Sequence, residues 1–301
     1  MAGGSGSGDP NRETVRLATV NWTMSVTFSI PIDEIPDALD LEPDVADVDW
    51  IEDDPDLTSG PVHLYVHGSS TVVVTIVVSE AMTLDVRVPF TASPADWALA
   101  LDVVEMAMEQ ADTVLVEVDG GEPVTLDELR ALCNREWQGE RAASAVRALR
   151  VLADDRVARS PGPVRAAHIG PRVMAELTAD NADDTEQGRR LLAVLGRVQW
   201  VTGPHDRAAA MEVTDNRGVG FSVAVIGPLL RYVLPPTDRL LVENGNLASD
   251  AGELMIPSDA LASLPGVRIT WLDDGNRLMD AVPESAWQAV VAAAEVHRFA
   301  G

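Results

Sequence analysis

Residues 62–88 read VHLYVHGSSTVVVTIVVSEAMTLDVRV, and this stretch decides the fold class. Val62 to His67 predicts a strand and Gly68-Ser69-Ser70 a turn. Thr71 to Val78 is a β-branched run that fits a second strand. Met82 to Val88 alternates apolar and polar residues, the pattern of a strand with one solvated face. The three lie close enough in sequence for an antiparallel meander. Upstream, Val15, Leu17 and Thr19 alternate, and Met24, Val26, Phe28 and Ile30 do so more clearly.

Helix signals follow the meander. Ser93 is placed to cap, Pro94 suits the first helical position, and Trp97, Leu101, Val104 and Met108 fall on one face. Residues 113–118 read as a strand. Thr125-Leu126-Asp127-Glu128 is a capping box, which predicts a helix from Leu126 to about Trp137. Gly139 is expected to break it, with a second helix over about 140–157. Ser160-Pro161-Gly162-Pro163 has linker composition.

Beyond the linker, Pro171 to Leu177 suggests a short helix, and Asp183 caps another that should end at Gly196. Strands are expected at 197–202, 209–214, 219–226, 238–243 and 267–272, with a short apolar pair at Met255 and Ile256. A brief helix at 258–264 and a final helix near 284–299 complete the pattern. Runs of strands followed by helices predict an α+β fold of mostly antiparallel sheets covered by helices. Two lobes are expected, 14–158 and 164–301. The lobe 14–158 carries an acidic loop at 33–56 and a helical pair at 125–157. The Gly/Ser-rich residues 1–13 read as a disordered tail.

Composition narrows the chemistry. The chain has 301 residues, with 48 acids against 22 bases and a net charge of −26. Every base is arginine; lysine is absent. A P-loop, a Schiff base and pyridoxal phosphate attachment all need a lysine. GC-rich coding is the plainest source of its absence; salt adaptation and avoidance of a lysine-directed tag give the same composition. A charge of −26 opposes direct nucleic-acid binding, which needs a basic footprint. The lone Cys133 removes intrachain disulfides and Cys-rich zinc sites. No apolar run reaches the roughly 18–20 residues that span a bilayer, and residues 1–13 lack the marks of a secretory signal. A cytoplasmic protein with no membrane contact is expected.

Residues 33–56 hold twelve acids and no base, interrupted by Pro36, Pro43 and Pro55. This block reads as an exposed loop or short helical turns. It lacks the residue order of a calcium-binding EF-hand loop. It fits a charge-complementary docking surface for a protein with a basic face. The candidate partner-binding residues are Asp47, Asp49, Trp50, Asp53 and Asp54, with Trp50 as the anchor.

No catalytic constellation is legible. His63 and His67, four apart on a strand, stand too far from each other to share a metal. His205-Asp206 lies in a turn. Cys133 sits in a helix beside Leu132, a setting for a buried hydrophobe. No G-x-S-x-G elbow or G-x-G-x-x-G loop occurs, so no cofactor is expected. The residues therefore imply an acidic protein-binding protein of inhibitor, immunity or adaptor type. The alternative is a hydrolase-type enzyme whose Asp, Glu and His residues assemble only in three dimensions.

Overall fold

A computed structural model describes residues 15–16, 21–29, 48–50, 60–80, 82–152, 157–208, 210–214, 218–243 and 254–297, with 15–16 and 48–50 as backbone. The fold is α+β, with mostly antiparallel sheets. The chain divides into two compact units, Met1–Trp200 and Val201–Gly301.

The first unit contains β1 (Val15–Arg16), β2 (Asn21–Thr27), β3 (Val48–Trp50), β4 (Val62–Val66), β5 (Val74–Glu80) and β6 (Thr83–Pro89). It continues with α1 (Pro94–Gln110), β7 (Leu115–Val118), β8 (Val124–Thr125), α2 (Leu126–Leu132) and α3 (Arg135–Leu152). β9 (Ala158–Ser160), β10 (Ala167–Ile169), α4 (Pro171–Thr178) and α5 (Asp184–Gln199) complete it. β4, β5 and β6 form the expected antiparallel meander. They belong to a seven-stranded sheet of order β3-β4-β5-β6-β2-β7-β8. Alternation puts Met24, Val26, Leu64, Ile76, Leu84 and Val86 into the core, where Trp97, Ala100, Val104 and Met108 of α1 join them. Leu101 packs partly buried against the same core.

The predicted capping box at Thr125 forms, and the predicted cap Ser93 forms a second one with Asp96. The Ser93 and Asp96 side chains exchange hydrogen bonds with each other's backbone, as do Thr125 and Glu128. Glu128 is held below its ordinary pKa by the Thr125 amide and hydroxyl. Thr125→Ala should cost roughly 0.5–2 kcal/mol. An unchanged urea midpoint would show that this cap does not support the helix.

Several local expectations are corrected. The break after α2 falls at Cys133 and Asn134, because Asn134 Oδ1 accepts from the backbone N–H groups of Glu136 and Trp137 and so starts α3. Gly139 lies inside α3. Residues 197–199 are helical rather than strand, because Gln199 is a buried brace: its Oε1 accepts from Val164 N and Arg165 N. That brace fixes the Pro-Gly segment expected to be a linker. β9 and β10 flank the segment, and β9 also pairs in parallel with β1. The division between units thus falls after Trp200, whereas 158–163 lies inside the first. α3 and α5 approach closely at Gly188, where a Cβ would stand 2.8 Å from Ala143 N.

The second unit holds β11 (Asp206–Arg207), β12 (Ala210–Thr214), β13 (Gly220–Ile226), β14 (Tyr232–Leu234), β15 (Arg239–Val242) and β16 (Met255–Pro257). A 3₁₀ turn (Ser258–Ser263), β17 (Ile269–Trp271), β18 (Arg277–Met279) and α6 (Glu284–Ala294) follow. Two four-stranded sheets have the orders β12-β13-β15-β16 and β11-β14-β18-β17. Ala224, Ile226, Leu240, Val242 and Ile256 pack with Met279, Trp287 and Val290 in one core. β14 and β18 are strands that the sequence pattern does not signal; each is three residues long, too short to show a period.

Candidate functional site

The residues expected to bind a partner are only partly described. Asp47, Asp53 and Asp54 lie outside the described residues. Asp49 and Trp50 lie in β3, opposite Tyr65 and Leu64, so residues 48–50 of the acidic block form an edge strand rather than a loop. Pairing with β4 supplies the backbone partners that a free loop would take from water.

The histidines stay apart. His63 Nδ1 meets Thr75 Oγ1 at 3.1 Å, His67 lies beside the Trp200 ring, and His205 Nδ1 meets Gly203 O at 2.9 Å. His297 Nε2 is 3.5 Å from Ser263 Oγ, but that hydroxyl donates to Ala260 O. Cys133 is buried, and burial pushes its thiol up to about 12, which removes the thiolate a nucleophile requires. Among the described residues, no group of three His, Cys, Asp or Glu is placed to hold a metal ion.

One arrangement that sequence order hides is a cleft of about 580 Å³ in the second unit. The turn Asp273-Asp274-Gly275-Asn276 contributes Asp274 and Gly275 to its lining. Buried Asp273 accepts from Gly275 N and Asn276 N through Oδ1, and from Asn276 Nδ2 through Oδ2. This folds β17 back on β18, in a register that sets Trp271 opposite Arg277. Directly opposed residues share a face, and the guanidinium lies 5.5 Å from the indole centroid.

β18 is an inner strand of its sheet, which buries Arg277 to 7 % exposure. Its guanidinium donates to Ser258 O at 2.8 Å and to Ser258 Oγ. Burial lowers its pKa, and the Asp259 carboxylate works in the opposite sense. Asp238, Asp259 and Asp274 also line the cleft, beside Pro257 and Ile269. Asp238 is fixed by Ser222, whose N and Oγ donate to its Oδ2 at 2.7 and 2.9 Å. Trp271 is 39 % exposed and forms the apolar wall. The sequence contained one relevant signal, a Trp and an Arg flanking an Asx-type turn, but not the burial of the arginine.

Many of the other described arginines are engaged internally. Arg87 pairs with Asp85, Arg130 with Glu105, Arg147 and Arg150 with Asp184, Arg197 with Glu176, and Arg231 with Asp280. Arg189 and Arg190 share Glu186, whose carboxyl their hydrogen bonds push down to about 2. Arg141 covers the Phe90 and Trp137 rings, and Arg239 covers Phe221 at 3.7 Å. Among the described residues, no helix is long and apolar enough to cross a membrane. Comparison of the chain with family models, curated proteins and solved structures gave no match.

Proposed function

We propose that this chain is an acidic protein-binding protein, of inhibitor, immunity or adaptor type, that works in the cytoplasm and engages a partner with a basic surface. The observation that carries the reading is the commitment of ten of its described arginines to internal carboxylates and rings. With 48 acids against 22 bases, that pairing leaves the surplus charge as unneutralised carboxylate. Such a field raises the encounter rate with a basic face and disfavours acidic partners, nucleic acid among them. The 33–56 block concentrates the field, since no arginine occurs between Arg16 and Arg87.

The test begins with affinity capture from the native host and proceeds to binding kinetics with the captured protein. A variant carrying Asp47→Asn, Asp49→Asn, Asp53→Asn and Asp54→Asn should associate roughly tenfold more slowly at low salt, with the gap closing as ionic strength rises. Trp50→Ala should instead raise the dissociation rate. Unchanged association of the four-Asn variant at low salt would remove the block from the interface.

A further inference from the structure

The cleft of the second unit presents an electrostatic problem that the protein does not itself solve. A buried guanidinium normally has a carboxylate in direct contact, because burying an uncompensated charge is costly. Arg277 is nine-tenths buried, yet the hydrogen-bond partners of its guanidinium are neutral oxygens, both from Ser258. Among the described residues, no carboxylate lies within 4 Å of it as an ion pair; Asp259 acts on it from farther away. Other arginines of the chain show the contrast, with Arg130 and Glu105 at 2.7 Å and Arg197 and Glu176 at 2.9 Å. In a chain with more than two acids per base, a missing direct counter-ion is not a matter of supply.

Arg277 lines an open cleft, so an anionic group can reach it from solvent. A simple anion fits poorly, because three carboxylates line the same space. A simple cation offsets carboxylate charge but leaves the guanidinium as it was. A ligand carrying both charges on neighbouring atoms answers both. We propose that this cleft binds a free α-amino acid. Its carboxylate sits on Arg277, its ammonium faces Asp259, and its side chain lies along Trp271, Ile269 and Pro257. The two charges of an α-amino acid are held apart by a single carbon, so both can reach groups that line one small cleft, as Arg277 and Asp259 do. The volume lies within the roughly 300–1,000 Å³ of small-molecule sites. The Asp273 turn and the Asp238–Ser222 clasp hold two of the walls in place before a ligand arrives.

The inference is tested on the full chain by NMR titration with each of the twenty standard amino acids. The readout is the Trp271 indole N–H resonance, identified by its absence from Trp271→Phe. At least one amino acid should shift this resonance with a Kd in the millimolar range or tighter. The amine lacking its carboxylate and the acid lacking its ammonium should each bind roughly tenfold or more weakly, a loss of about 1.4 kcal/mol. Arg277→Gln should abolish binding. Because that side chain is buried, the exposed Asp259→Asn supplies the independent check: it should weaken the amino acid roughly tenfold while leaving the melting temperature in place. The inference is overturned if no amino acid moves the resonance at millimolar concentration. It is equally overturned if either half-molecule binds as tightly as the whole, or if Asp259→Asn leaves affinity unchanged.

Discussion

Replacing Asp96 with alanine is expected to destabilise the first unit by roughly 2–6 kcal/mol. Asp96 is fully buried, and its Oδ2 accepts from Thr71 N at 3.0 Å, Thr71 Oγ1 at 3.0 Å and Ser93 N at 2.7 Å. Alanine leaves the two backbone donors buried without an acceptor. The Thr71 hydroxyl retains the Thr91 carbonyl and contributes less.

Asp96→Asn separates this hydrogen-bonding role from charge. Oδ1 of Asp96 is buried with no partner, and burial raises the carboxyl above its ordinary pKa despite hydrogen bonds from Ser70, Thr71 and Ser93. A raised folded-state pKa means that the native protein holds more protons than the unfolded chain between the two values. Stability is therefore greatest below the unfolded pKa and is lost as pH rises through the folded one. Asparagine keeps an oxygen for the donors and carries no charge. The stability of Asp96→Asn relative to the parent should thus climb as pH rises through that interval. Urea midpoints measured across the acid range check this; a constant difference between the two proteins would refute the buried-charge account.

Trp97→Ala should cost about 3–5 kcal/mol. The indole is fully buried, with ring centroids 5.7 Å from Trp22 and 4.9 Å from Trp137, and Trp22 and Trp137 are themselves 4.7 Å apart. Alanine would open a cavity where α1 and α3 meet the sheet, and it would remove edge-to-face contacts worth something beyond their area. Trp97 Nε1 has no hydrogen-bond partner, so Trp97→Phe loses packing volume but no hydrogen bond. It should cost distinctly less than alanine. Equilibrium urea unfolding of the three proteins orders them; equal midpoints for Trp97→Ala and Trp97→Phe would mean that the site relaxes around the missing ring.

What the sequence determined on its own is whatever a few neighbouring residues decide. The meander from Val62 to Val88 shows in period-two burial and β-branching, and the capping boxes at Ser93 and Thr125 each close within three residues. The charge of −26 and the acidic block follow from composition alone. Tertiary structure decided the rest, because distant segments supplied the partners. β9 exists as a strand through pairing with Val15–Arg16 and with β10. The last turn of α5 is kept by Gln199, whose acceptor serves a loop more than thirty residues earlier. Asn134 outranked Gly139 as the break between α2 and α3, since a side chain that captures two orphan amides starts a helix more firmly than one glycine ends it. The cleft draws its walls from residues near 237, 258 and 271, and each stretch reads singly as turn or short strand. Only their convergence buries Arg277 beside Trp271 with no carboxylate in direct contact among the described residues, because burial belongs to the packed chain and leaves no period in the sequence.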